Sequence, residues 1–308
     1  ELHTRIQKIH LGLYPEMVPF YNKLSNWLGI PKNQIYVTEG VSGAIKSLIE
    51  TLTIPSKHTI LFPFPTFAMY PVYCNMFNVK AKMIGYNSNY KLEKQKLFDM
   101  IDYNTAILFL PNPNMPIEGT LNINELRSLA EHCSKTETIL AIDEVYYPYG
   151  GPTAIELIDQ FDNVFVMRSF SKAFGLASIR VGFLLGSETN IDYVSKTRTG
   201  YETNSISMEI ATFFIDNYDY ILDYVKQVTL GLQYIKTKLN NLNIEYNGGD
   251  TGNFIYVNMK SADLANAIVE SLRHENIYVR GGWPKPYDTG FTITGAPQDM
   301  MEIFYNKF

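Results

Sequence analysis

The chain has 308 residues, 46% of them hydrophobic, and a formal net charge of −5. That is enough apolar material for one large or two modest domains. The negative balance, with no basic run, weighs against non-specific nucleic-acid binding, and no stretch of about 18 apolar residues offers a membrane span. Cys74 and Cys133 supply no disulfide framework, and the five scattered histidines have no metal-ligand spacing. A cytoplasmic protein with reduced thiols is expected, and Glu1–His10 does not read as a signal peptide.

Strand-like and helix-like stretches alternate along most of the chain. "QIYVTEG" ends in a glycine and leads into "VSGAIKSLIETL", whose apolar spacing is helical. "TILFPFP" is a short apolar run stopped by prolines. "KAKMIGY" follows, then the helical "KQKLFDMID", then the strand "TAILFLPNP". "NINELRSLAEHC" opens on Asn122 with Glu125 three residues later, the mark of a capping box. "TILAIDEVYY", "NVFVMRSFS" and "IRVGFLLG" read as three further buried strands. Strands separated by helices predict parallel pairing through right-handed crossovers, and an α/β sheet covered on both faces. After about residue 196 the texture changes. A long helical tract over 207–242 precedes "NFIYVNM", the helix "ADLANAIVESLRHE", "IYVRGG", "GFTITG" and a last helix from Pro297, which together read as a smaller α+β domain.

Ligands of open α/β sheets sit beyond the carboxyl ends of the strands. Three polar segments, "PNPNMPIEG", "DEVYY" and "SFSK", occupy such ends. Lys172 taken alone reads as a solvated lysine. Its setting adds hydroxyls at Ser169 and Ser171 and a guanidinium at Arg180, a cradle for a dianion. "TEGVSGAI" adds a helix start at Gly40, Val41 and Ser42, whose N–H groups suit a phosphate; the plain alternative for its glycines is a tight turn. Asp143 ends a strand, as a cap or as the partner of a buried cation such as a pyridinium. Tyr146 is either a core tyrosine or a donor to a ring oxygen. An amine-bearing lysine, a phosphate cradle and a pyridinium partner together describe pyridoxal phosphate bound as a Schiff base.

"SFSKAFGLASIRVGF", "AIDEVYY" and "FLPNPNMPIEGT" resemble the fold-type-I pyridoxal-phosphate aminotransferases of class I and II, most closely their histidinol-phosphate aminotransferase branch. The resemblance implies a large, mainly parallel domain over 31–196, a smaller C-terminal domain over 197–308 and an arm over 1–30. It implies Lys172 as the Schiff-base lysine and proton shuttle, Asp143 as partner of the pyridine nitrogen and Tyr146 as donor to the ring oxygen. Ser169, Ser171, Arg180, Gly40, Val41 and Ser42 fall on phosphate-binding positions, and Phe67 on the ring-stacking position. Tyr14 matches the tyrosine that reaches the neighbouring subunit's cofactor, which implies a homodimer.

The chain departs from the family pattern in three places. Met115 stands where an asparagine normally donates to the ring oxygen, with one extra residue before Gly119; either Asn112 or Asn114 replaces that donor, or Tyr146 acts alone. Phe291 stands where an arginine normally pairs with the substrate carboxylate, leaving Arg198 and Arg280 as substitutes, with Asn253 also expected near the pocket. The family's N-terminal arm is mostly missing. Transamination of a small amine bearing a phosphate or phosphonate is the leading expectation. Decarboxylation of a phosphorylated amino acid is the alternative, and a cofactor-binding module without turnover is a third.

Overall fold

The computed structural model describes residues 1–308. Its main sheet has seven strands: β1 (Ile35–Thr38), β2 (Thr59–Pro63), β3 (Lys80–Ile84), β4 (Thr105–Pro111), β5 (Ile139–Asp143), β6 (Val164–Ser169) and β7 (Gly182–Leu185). Their spatial order is β1-β7-β6-β5-β4-β2-β3. The ladders from β3 through β2, β4 and β5 to β6 are parallel, as the strand–helix alternation predicts. β7 runs antiparallel to both β6 and β1. The connection from β6 to β7 carries only a short 3₁₀ turn, Ala177–Ile179, and not the helix that usually forms the crossover between parallel strands.

The period-two alternation of the strands sorts their side chains onto two faces. Leu61, Leu108, Leu140 and Val166 enter one core, and Phe62, Phe109, Ala141 and Phe165 enter the other. Both faces are therefore covered, which explains why these strands read as continuous apolar runs. The helix Ile123–Lys135 begins with the capping box expected at Asn122: its side chain accepts from the N–H groups of Asn124 and Glu125, and the Glu125 carboxylate accepts from the N–H of Asn122.

A second, antiparallel sheet is formed by β8 (Glu245–Gly248), β9 (Phe254–Asn258) and β10 (Gly290–Thr294), in the order β10-β9-β8. Two helices, Ser205–Asp216 and Tyr218–Asn241, lead into it. The single helical tract expected over 207–242 is thus broken at Asn217, whose side chain turns back to the carbonyl of Phe213. "IYVRGG" forms no strand, only an isolated bridge from Arg280 to Thr292. Residues of β9 and β10 share one apolar cluster with the large sheet, so the smaller domain packs directly against the larger.

Candidate active site

The register of the parallel strands sets the site. Pro111 at the end of β4 lies opposite Asp143 at the end of β5, and Asp143 lies opposite Met167 of β6. The polar segments that follow these strands therefore emerge at one edge. Because β7 is reversed, Arg180, just ahead of its first residue, comes to the same edge. These segments enclose a cavity of about 310 Å³ lined by Val41, Ser42, Phe67, Asn114, Met115, Asp143, Tyr146, Ser169, Ser171, Lys172, Arg180 and Arg280, among others.

At its base, Asp143 is buried and accepts from the N–H of Val145 at 3.0 Å and from the Tyr70 hydroxyl at 2.7 Å. Burial pushes its carboxyl up to about 6, against the pull of the Tyr70 bond, the Val145 N–H and the Lys172 charge. It makes no salt bridge, so its strongest opposing influences are hydrogen bonds. Tyr70 was not legible as a site residue. It sits three positions after Phe67 on the helix Met69–Met76, wholly buried between Phe62 and Phe109. Burial raises its pKa well above the ordinary phenol value, which keeps it a donor. Phe67 stands half exposed at the mouth, edge-on to Tyr70.

Lys172 reaches solvent through the open mouth, yet its amine is crowded by protein. Burial lowers its pKa; the Asp143 charge opposes this and the Arg280 charge adds to it. A lowered amine pKa leaves more of the nucleophilic free base at neutral pH. Its Nζ lies 5.8 Å from the Tyr146 ring. The Tyr146 hydroxyl donates to Met115 Sδ at 3.2 Å, and its ring packs 5.0 Å from that of Phe254.

The opposite end is an anion cradle. The helix Gly40–Leu52 starts with no side-chain cap, so its first N–H groups lack a partner from a capping side chain. Ser169 donates to Ser171 at 2.8 Å. Arg180 adopts a left-handed conformation (φ 54°) and donates to the carbonyls of Ala177 and Glu39, both at 3.0 Å. Gly40 backs the cradle rather than lining it: its φ is +67°, and a Cβ there would lie 2.7 Å from Arg180 Nη2. A helix start, a guanidinium and two hydroxyls converge as a phosphate requires.

Several expected residues are placed elsewhere. The amide of Asn112 is turned away, bridging the N–H and C=O of Leu121 at 2.8 and 3.0 Å. Asn114 does line the cavity, but its oxygen accepts from Thr66 at 2.6 Å and its nitrogen donates to the Pro65 carbonyl at 2.8 Å. Both amides are thus engaged by protein groups, while the Tyr146 hydroxyl rests on Met115 at the cavity wall. Arg198 lies outside the cavity, held by the Ser195 carbonyl at 2.9 Å and by Glu202 at 3.4 Å. Asn253 is also outside, just before β9, its carbonyl accepting from the N–H of Gly295 at 2.7 Å. Tyr14 is 78% exposed, outside the cavity and stacked on Tyr201 at 4.6 Å. Phe291 is fully buried and packs against Phe308. Arg280, bonded through its backbone to Thr292 beside Phe291, puts its guanidinium over the Trp283 ring at 4.2 Å and reaches the cavity.

Behind the strand ends lies a buried ion pair that sequence reading also missed. Arg168 and Glu144 meet at 2.9 Å; Thr153 bonds both, at 2.6 and 3.0 Å, and the Tyr147 ring stacks 3.7 Å from the guanidinium. Each charge neighbours a cavity residue, Ser169 and Asp143. The signal was in plain view, a charged residue inside each of two apolar strand endings.

These residues fit pyridoxal phosphate. A buried carboxylate without an ion-pair partner suits a protonated ring nitrogen, the cradle suits a phosphate ester, and a lysine with a lowered pKa suits an aldehyde. The fold and the site thus define a fold-type-I enzyme dependent on pyridoxal phosphate. Residues 5–304 match the family model described as aminotransferase class I and II, and the chain belongs to that family. It is 26% identical over 299 residues to a histidinol-phosphate aminotransferase of Bacillus cytotoxicus, covering 95% of this chain and 79% of the relative. It is 29% identical over 209 residues to one from Caldanaerobacter subterraneus subsp. tengcongensis, covering 67% of this chain and 58% of that relative. The histidinol-phosphate aminotransferase of Sinorhizobium meliloti, solved with pyridoxal-5'-phosphate, superposes with a TM-score of 0.90 at 20% identity, covering 99% of this chain and 85% of the other.

Proposed function

We propose that this cavity transfers an amino group between a small amino compound bearing a phosphate or phosphonate and a keto or aldehyde acceptor. The observation that carries the reading is the convergence of Lys172, Asp143, Tyr146 and Arg180 on one cavity. Pyridoxal phosphate, when bound, supplies an aldehyde carbon for amines and a ring that withdraws electrons from the substrate carbon. Arg180, Ser169, Ser171 and the N–H groups of Val41 and Ser42 hold its phosphate. Asp143, kept ionised by Tyr70 and the Val145 N–H, holds the proton on the ring nitrogen. Tyr146 donates to the ring oxygen, and Phe67 closes over the ring face. Lys172 Nζ would hold the cofactor by its aldehyde carbon, and its amine, once free, would be the group placed to take a proton from the substrate carbon and return it to the former aldehyde carbon. Arg280 has no ion-pair partner, and its guanidinium anchors the anionic group of the substrate.

The test is a half reaction. Holoenzyme is mixed with matched pairs of phosphorylated and unphosphorylated amines while the visible band is followed. Phosphorylated amines are expected to consume the band without an acceptor present, and Arg280→Ala to abolish that preference with cofactor still bound. Carbon dioxide release from a phosphorylated amino acid with no net amination of the cofactor would instead assign decarboxylation.

The proposal extends to assembly and setting. Leu11, Leu13 and Tyr14 are exposed. They support a homodimer in which Tyr14 reaches the neighbour's cofactor phosphate. The reduced, buried Cys74 and Cys133 support a cytoplasmic setting. Boundaries near residues 30 and 196 fit the two sheets.

A further inference from the structure

The extra residue between Met115 and Gly119 brings a carboxylate to the joint between the two sheets. Glu118 Oε1 accepts from the N–H groups of Thr251 at 2.8 Å and Gly252 at 2.6 Å, and Oε2 from that of Asp250 at 3.0 Å. Three consecutive backbone N–H groups closing on one anion form a nest, here filled by the chain's own side chain. The Glu118 N–H donates to Asn247 Oδ1 at 2.7 Å, and the hydroxyls of Thr120 and Thr251 meet at 2.9 Å. The clasped segment runs directly into β9. Its Gly252 leaves room for the Phe254 ring, which a Cβ there would approach to 2.6 Å. That same ring packs against Tyr146.

We propose that Glu118 is a positioning residue: it clasps segment 250–252 to the loop that carries Met115 and thereby seats Phe254 against Tyr146, aiming the Tyr146 hydroxyl into the cavity. The inference rests on the reading of Tyr146 as the donor to the cofactor's ring oxygen. An amide at position 118 keeps the size of the side chain but turns an NH₂ toward the nest's donors, so the clasp opens without a cavity being made.

The readout is the pH midpoint of the holoenzyme's visible band, which depends on donation to the ring oxygen. Thermal melting serves as the folding control. Glu118→Gln is expected to move the midpoint up by about half a pH unit or more, in the direction of Tyr146→Phe, as the loss of a neutral hydrogen bond would. The double variant is expected to shift no further than Tyr146→Phe alone, because both changes act through one hydroxyl. Glu118→Asp, which keeps the charge, is expected to recover part of the shift. Thr120→Val, which removes only the hydroxyl pair, is expected to give a smaller shift of the same sign and decides the matter if Glu118→Gln does not fold. An unmoved midpoint in these folded variants, or shifts that add in the double variant, would overturn the inference. A wild-type protein that develops no visible band with pyridoxal phosphate would overturn the proposed function and this inference with it.

Discussion

Replacing Tyr70 with Phe removes one oxygen and leaves the ring between Phe62 and Phe109 in place. What is lost is the 2.7 Å donation to Asp143 Oδ2. A hydrogen bond to an ionised group contributes about 1.5–3 kcal/mol, and about 1.4 kcal/mol corresponds to one pH unit. The Asp143 carboxyl, at about 6 with the bond in place, is therefore expected to rise by roughly 1–2 pH units. The wild-type carboxylate is mostly ionised at pH 7; in the variant half or more of it is protonated, and that fraction offers no negative charge to a protonated ring nitrogen. The assay is cofactor affinity measured from pH 5.5 to 9 by titrating the visible band. The acid limb is expected to move to higher pH in Tyr70→Phe, with affinity recovering toward wild type at the alkaline end. A limb that stays in place in a folded variant, or one that moves to lower pH, would refute the assignment of Tyr70 as the group that keeps Asp143 ionised.

Asp143 also sets a pH dependence of stability in the cofactor-free protein. Its folded pKa, about 6, lies above the ordinary 3.8, so its contribution is present below 3.8 and is lost as pH rises through 6, by about 3 kcal/mol. Asp143→Asn is expected to remove that decline from apoprotein melting curves; an unchanged wild-type-to-variant difference between pH 4 and 7 would contradict it. Gly40→Ala combines a φ of +67° with a Cβ only 2.7 Å from Arg180 Nη2. It is expected to cost about 1–2 kcal/mol in stability and to weaken cofactor binding through the displaced guanidinium, both measurable by calorimetry. Met115→Asn restores an amide donor beside Tyr146 and is expected to lower the pH midpoint of the visible band by about half a unit to one unit; a midpoint that rises would mean that Met115 does not face the ring oxygen.

Much of this protein is local information. Strand runs such as "TILAID" carry enough β-branched and aliphatic side chains to be buried on both faces, and the Asn122–Glu125 box sets a helix start without help from the rest of the chain. Lys172, Asp143 and Arg180 were legible because the chemistry of each depends on a short frame of neighbours. What only the tertiary structure decided are pairings between residues far apart in sequence. Tyr70 meets Asp143 across 73 positions and Glu118 meets segment 250–252 across more than 130. Position 291 shows in the sequence that no cation stands there, yet only the structure shows that Arg280 reaches the cavity and Arg198 does not. Hydrophobic period and capping act over a few residues and survive in the primary structure. Hydrogen-bond direction, burial and the pKa values they set depend on which distant groups the fold brings within reach.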